Sequence, residues 1–366
     1  MLSREQIKAV TAVERRILYG GGAPLPAVDT EYMRELFYLH GLESMVDCAD
    51  DPALASLQKP ENVFGHMLYQ RTLDHTRTFL FQQMNIRGIK AAELKGAAIS
   101  ECYPSRIVRT SGDLDLFVPG RQREAFSRMM EETGIERISD VNTGQCGVDT
   151  YGTAGGVRIE VHYLYFQRMS ARQRGILRDR GYFSEDVIVP SADGRYCTLR
   201  PEVHLLYLIY HAGKHMLVHT ITLRMLMDLT AFVNRYAGEI DGAAFRRLIK
   251  ELGFTRICNA LMCFCMAHLG MRKDFWKRTG CPMDFFLRLM MNSGREPSAE
   301  RFIRRMPETW TFYRNDCVEE KGEFRSQNRY CPGKALKSKF AFSTFTAWWA
   351  VRLLWHYEVD FSGEAV

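Results

Sequence analysis

The run Asp113-Leu114-Asp115-Leu116-Phe117-Val118 constrains this chain more than any other. Charged and apolar residues alternate, as in a strand with one buried face. Leu114, Leu116 and Val118 then point to one side, and Asp113 and Asp115 to the other. Carboxylates two residues apart on a strand lie roughly 6.5–7 Å apart along its axis. They repel unless a cation joins them. Hard divalent cations with oxygen ligands are the usual partner, and Mg²⁺ commonly takes one or two carboxylates plus substrate phosphates. Taken alone, Asp-x-Asp also fits a solvated strand face beside a loop.

The surroundings add to the pattern. Leu94-Lys95-Gly96-Ala97 reads as a strand end, a glycine turn and a helix start. A helix reached through glycine presents unpaired N–H groups to an anion. Downstream, Gly156-Val157-Arg158-Ile159-Glu160-Val161-His162-Tyr163 alternates again and puts Glu160 and His162 on one face. A third carboxylate on a neighbouring strand would complete a two-metal site. His162 either donates to a carboxylate, touches the substrate, or is a satisfied structural histidine.

On these residues the chain resembles the nucleotidyltransferase superfamily, whose best-known member is DNA polymerase beta. Its pattern is a glycine-containing turn, Asp-x-Asp on one strand and a third acidic residue on a later strand. More narrowly, the chain is similar to a bacterial family of uncharacterised nucleotidyltransferases. That likeness rests on Leu94-Lys95-Gly96, on Arg109, on Ser111-Gly112-Asp113-Leu114-Asp115-Leu116 and on Glu160-Val161-His162. Abortive-infection nucleotidyltransferase toxins look similar over the same segment. The likeness spans about residues 90–235.

The resemblance implies an α+β fold: a polymerase beta-like core with a mixed sheet, flanked by helical N-terminal and C-terminal regions. It implies metal-dependent transfer of a nucleotidyl group from an NTP to a hydroxyl acceptor, with release of pyrophosphate. Asp113, Asp115 and Glu160 would be catalytic and would hold Mg²⁺ or Mn²⁺. Lys95, Gly96, Ala97, Arg109, Ser111, Gly112, His211, Lys214 and His215 would bind the nucleotide. Many superfamily members carry Ser or Gly after the turn glycine, where this chain has Ala97. That leaves the phosphates to backbone amides and Lys95.

Composition is compatible with this and excludes other classes. With 366 residues, 46% hydrophobic and 25% charged, the chain can bury a sizeable core. A net charge of +6 suits an anionic substrate but is too mild to argue for duplex nucleic acid. No stretch reaches the roughly 18–20 apolar residues of a membrane span, so no membrane partner is expected. The N-terminus lacks the apolar core of a signal peptide. The ten cysteines are scattered without Cys-x-x-Cys. Reduced thiols and a cytoplasmic location are the expectation. Cys258, Cys263 and Cys265 read as buried small hydrophobes.

Three regions are expected: 1–87 helical, 88–190 the nucleotidyltransferase-like α/β domain, and 191–366 helical. Helices are predicted over 4–19, from a cap at Asp29-Thr30, and over 61–85 with Phe64, Leu68, Leu73, Phe79, Leu80 and Met84 as candidate core. His66 and His75 read as edge residues without a role. The α/β part reads as a β-α-β-α-β-β-β order with strands near 89–94, 113–118, 135–138, 148–151 and 157–163. Further helices are read from Pro201, and over 222–229, 243–252, 255–269 and 284–291.

Several residues admit more than one reading. Arg109 either neutralises phosphate or orients a carboxylate, or else forms an ion pair holding its loop on the acidic strand. His204, His211, His215 and His219 lie near one helical stripe. They could form a zinc site, contact phosphates or base together with Lys214, or make a solvated stripe. Arg224 and Asp228, four apart on one helix, read as a structural pair. The basic run 168–180 lacks interleaved aromatics and reads as a solvated face rather than a nucleic-acid patch. Trp348, Trp349 and Trp355 suggest core packing or a partner interface. Two other functions stay open: a silent nucleotide- or partner-binding module, and a toxin-type enzyme acting on RNA. The acceptor is not legible as small molecule, protein or RNA, nor is the oligomeric state.

Overall fold

A strand with three apolar residues on one side needs a layer of helices to cover them. The computed structural model, which describes residues 4–22, 24–27, 29–138, 148–166, 169–217 and 221–276, supplies that layer. In chain order come helices α1 (Arg4–Tyr19), α2 (Thr30–Leu39), α3 (Glu43–Asp47) and α4 (Pro60–Ile86). The α/β part follows: β1 (Ala92–Glu93), α5 (Ala97–Ser100), β2 (Asp113–Phe117), α6 (Arg123–Glu132), β3 (Glu136–Arg137), β4 (Val148–Gly152) and β5 (Arg158–His162). Then come α7 (Ala171–Asp179), a two-stranded ribbon of β6 (Ile188–Pro190) and β7 (Cys197–Leu199), and helices α8 (Pro201–Leu217), α9 (Leu223–Tyr236), α10 (Gly242–Leu252) and α11 (Thr255–Phe264). The strand–helix order matches the one expected for 88–163, and the mixed α+β class holds. The β6–β7 ribbon and α3 were not foreseen, because each is too short to show a period.

The five-stranded sheet has the order β1-β2-β5-β4-β3. β2 and β5 are parallel and adjacent, with Asp115 opposite Glu160 and Phe117 opposite His162. All the other pairings are antiparallel. The back of the sheet presents Leu114, Leu116, Val118, Ile159 and Val161 to Leu73, Leu80 and Met84 of α4 and Phe126, Met129 and Met130 of α6. Each fully buried side chain of this kind contributes roughly 1.5–3 kcal/mol. Slipping β2 by one residue would drive Asp115 into that layer, so its burial sets the register of the acidic face.

The acidic face looks toward a second core that N-terminal and C-terminal helices build together. It contains Val10, Val13 and Ile17 of α1, Phe37 of α2, Val203 and Leu206 of α8, Leu226 of α9 and Cys258 of α11. Cys263 and Cys265 are buried there as expected. The caps follow local chemistry. Asp29 accepts from the N–H groups of Glu31 and Tyr32 at the start of α2, and Asp241 does the same for Ala243 and Ala244 at α10. Ser170 and Gln173 form a capping box on α7.

The expected core of α4 is corrected. Leu73, Leu80 and Met84 are buried, but Phe64, Leu68 and Phe79 are exposed. This 27-residue helix carries apolar residues on two stripes, and only one meets the sheet. His66 lies at the edge, with Nε2 3.3 Å from Asp47. Among the described residues no helix is long and apolar enough to cross a membrane. The expected helix at 284–291, His219, Arg168 and the tryptophans 348, 349 and 355 lie outside the described residues.

Candidate active site

The site is built from two parallel strand neighbours. Because Asp115 faces Glu160 across β2 and β5, and His162 lies two residues on, three ligating side chains share one face. One atom each of Asp115, Glu160 and His162 lies within 4.8 Å of the other two. No other such cluster of three occurs among the described residues. Asp115 is buried at 2% exposure, while Glu160 and His162 are half-buried. Asp113 is next along the same face but is not in the cluster.

Charges around the cluster are unevenly matched. Lys95 Nζ lies 2.8 Å from Asp115 Oδ2, and His162 Nε2 lies 3.4 Å from Asp115 Oδ1. Burial alone would raise the Asp115 carboxyl, but the Lys95 ammonium and His162 outweigh it and hold it well below the ordinary carboxylate range. Burial would likewise lower the Lys95 ammonium, and the Asp115 charge reverses that and raises it. Glu160 accepts from Arg158 at 2.8 Å. Asp113 has no hydrogen-bond or ion-pair partner among the described residues. The Asp115 charge and then burial raise its carboxyl above the ordinary range.

This donor set fits a divalent cation. Two carboxylates and an imidazole converge, and a third carboxylate beside them is raised by repulsion that Lys95 and Arg224 only partly relieve. Asp115, Glu160 and Asp113 supply hard oxygens, and a cation among them would relieve that repulsion.

The glycine turn is held from beneath. Gly96 adopts φ +60° and ψ −118°, a conformation open essentially to glycine alone. A Cβ there would lie 2.5 Å from Glu93 Oε1 and 3.2 Å from Ser111 Oγ. Glu93 is fully buried and accepts the Ala97 N–H at 2.7 Å. Its other oxygen lies 3.6 Å from Arg77 Nε. Burial raises the Glu93 carboxyl to about 8, against the lowering effects of Arg77 and the Ala97 bond. The Ala97 amide, expected to face phosphate, is therefore engaged by Glu93. Sequence reasoning missed Glu93 and Arg77, and nothing periodic marks either.

The loop before β2 is clamped on both sides. The Gln70 side chain accepts the Ser111 N–H at 2.9 Å and donates to the Ser111 carbonyl at 2.7 Å. The Tyr69 hydroxyl donates to the Gly112 carbonyl at 2.6 Å. Arg109 is buried and bidentate on Asp228, with Nε and Nη2 each 2.7 Å from one carboxylate oxygen. It also donates to the Thr110 carbonyl and, at 3.3 Å, to Ser111 Oγ. Arg109 therefore forms an ion pair that holds its loop, but the partner is Asp228 of α9 and not a carboxylate of the acidic strand. The pair expected between Arg224 and Asp228 is absent, because Asp228 is committed to Arg109 and to the Tyr103 hydroxyl at 2.8 Å.

Helix α8 closes the far side. His211 Nε2 lies 3.5 Å from Lys95 Nζ and 3.2 Å from His215 Nε2. A polar chain thus runs His215, His211, Lys95, Asp115, His162. The Lys214 side chain lies outside the described residues. His204 does not join the stripe. It is buried, with Nε2 2.8 Å from the Leu94 carbonyl and Nδ1 3.1 Å from Thr198 Oγ1, and burial lowers it to about 4.

Comparisons with known proteins place the chain at the level of family. No curated protein matches the chain. Among solved structures, an antigenic nucleotidyltransferase-like protein from Paracoccidioides brasiliensis is similar at a TM-score of 0.33 and 13% identity. The match covers 55% of this chain and 93% of that one. Residues 66–270, more than half of the chain, match the model of a family described as uncharacterised nucleotidyltransferase. The chain belongs to that uncharacterised nucleotidyltransferase family.

Proposed function

We propose that the protein transfers a nucleotidyl group from an NTP to a hydroxyl acceptor, with Mg²⁺ or Mn²⁺ bound at the acidic face. The observation that carries this reading is the convergence of Asp115, Glu160 and His162 within 4.8 Å on two parallel strands, with Asp113 beside them. Asp113, Asp115 and Glu160 would hold the cation. When bound, it would lower the pKa of the acceptor hydroxyl and neutralise charge on the transferred phosphoryl group.

The residues of the chain have distinct parts in the step. The acceptor oxygen bonds to the α-phosphorus as the bond from that phosphorus to the β-phosphate oxygen breaks. Pyrophosphate departs, and the hydroxyl proton passes to Glu160 where that carboxylate serves as base instead of as a ligand of the cation, and otherwise to solvent. Lys95, poised between Asp115 and His211, supplies a positive charge that a phosphate oxygen can share. His211 and His215 extend that polar wall toward the nucleotide. The Gly96 turn, packed closely on Glu93 and Ser111, fixes Lys95 at the edge of the acidic face.

The test is incubation with each α-³²P-labelled NTP and Mg²⁺ or Mn²⁺, with cell lysate as the source of acceptor. Label should move onto a lysate component, and an Asp113→Ala/Asp115→Ala protein should not move it. Tight nucleotide binding without any transfer would turn the reading to a silent binding module.

A further inference from the structure

Arg224 stands on α9 one turn before Asp228, the spacing of a helical ion pair. That pair does not form. Both Asp228 oxygens are taken by Arg109, and one also receives the Tyr103 hydroxyl. Arg224 has no hydrogen bond or ion pair among the described residues.

A guanidinium is charged at any physiological pH, so a half-buried one without a partner is a costly arrangement. The fold nevertheless makes room for it. Gly41 lies against the guanidinium in a left-handed conformation (φ +67°), and a Cβ there would sit 3.3 Å from Arg224 Cζ. Around it are Arg109, Asp228, Tyr103 and Asp113, all close enough to act on its charge. Two guanidinium groups therefore share one carboxylate, and Arg109 holds it. The one other negative group among these neighbours is Asp113, which the proposed function assigns to a cation.

The geometry points to Arg224 as the residue that grips an oxyanion of the nucleotide's phosphate chain, as part of the binding site rather than of the helix scaffold. This rests on the nucleotidyl-transfer reading above. The planar fork matches phosphate oxygens in a way that a point charge does not. An anion between Arg224 and the carboxylates proposed to hold the cation would give the guanidinium a partner that none of the described residues supplies. It would also stand near Ser111, which Arg109 ties to this end of the site.

The test is calorimetric binding of each of the four NTPs with Mg²⁺, and of the matching nucleosides, to the full-length protein. Wild type is compared with Arg224→Gln and Arg224→Lys, and thermal midpoints are recorded beside Arg109→Gln. For whichever NTP wild type binds, Arg224→Gln is expected to raise Kd about tenfold or more, the loss of one charge-assisted contact. Arg224→Lys is expected to fall between the two. Nucleoside affinity should be unchanged, and the midpoint of Arg224→Gln unchanged or higher, whereas that of Arg109→Gln should fall. An unchanged Kd in Arg224→Gln, or a collapse of both Arg224 variants, would overturn the assignment while leaving nucleotidyl transfer standing. If wild type binds none of the four NTPs, the assignment and the proposed function fall together.

Discussion

Lys95 Nζ and Asp115 Oδ2 are 2.8 Å apart, an ion pair between the glycine turn and the buried member of the acidic cluster. Breaking such a pair from the lysine side leaves a buried carboxylate behind. Lys95→Met is therefore expected to cost about 3–5 kcal/mol in the absence of metal. The sign with pH follows from both partners. The Asp115 carboxyl is depressed, so its contribution is present above about pH 4 and is lost as pH falls below that. The Lys95 ammonium is raised, so its contribution is present below about pH 10 and is lost above. Urea unfolding of both proteins should give a constant difference between about pH 5 and 9 that shrinks in acid.

Asp113 is the reverse case. It is repelled by Asp115, and burial adds to this. The Lys95 and Arg224 charges offset the repulsion only in part. Asp113→Asn is expected to raise stability in metal-free buffer by about 0.5–2 kcal/mol, the size common for a single stabilising substitution such as a change of charge. Mg²⁺ or Mn²⁺ should raise the thermal midpoint of wild type and raise that of Asp113→Asn much less. A destabilised Asp113→Asn protein would show that the carboxylate has a structural partner.

Glu93 gives a pH dependence of opposite slope. Burial raises its folded pKa to about 8, above the unfolded value. A carboxyl raised in this way favours the folded state when protonated, so its contribution fades as pH climbs from the unfolded pKa through the folded one. Glu93→Gln keeps an acceptor for the Ala97 N–H and removes the titration. Wild type should lose stability relative to Glu93→Gln between about pH 5 and 8. A flat difference over that range would mean Glu93 is ionised throughout.

Gly96 is expected to tolerate no side chain. Its positive φ and the 2.5 Å approach to Glu93 Oε1 act together. Gly96→Ala should cost about 2 kcal/mol or more. In a double-mutant cycle with Glu93→Ala the two changes should be non-additive, since removing Glu93 removes the clash but not the backbone strain. Additive values would mean the turn relaxes away from Glu93.

What the sequence disclosed and what it hid divide along range. The alternation in β2 and β5, the Asp29 cap and the Pro201 start of α8 are written in neighbouring residues, and they were legible. So was the sharing of one face by Asp113 and Asp115, and by Glu160 and His162, because strand period 2 leaves no alternative. The joining of those two strands in register is a tertiary fact. The choice Asp228 makes is another: it takes Arg109, 119 residues away, over Arg224 one turn back. Local spacing argued for the nearer partner, and burial with a bidentate geometry favoured the farther. Glu93 was unreadable because its partner Arg77 lies on another element. The exposed stripe of α4 was misread because two apolar faces on one long helix look alike until the sheet covers one.

The most direct measurement of the central claim is the ratio of pyrophosphate released to label incorporated from an α-³²P-labelled NTP, in wild type and in Asp115→Asn. Nucleotidyl transfer at the acidic face requires one pyrophosphate for each group transferred, and neither product from the variant. Transfer that persists in Asp115→Asn, or nucleotide binding without pyrophosphate from any NTP, would contradict it.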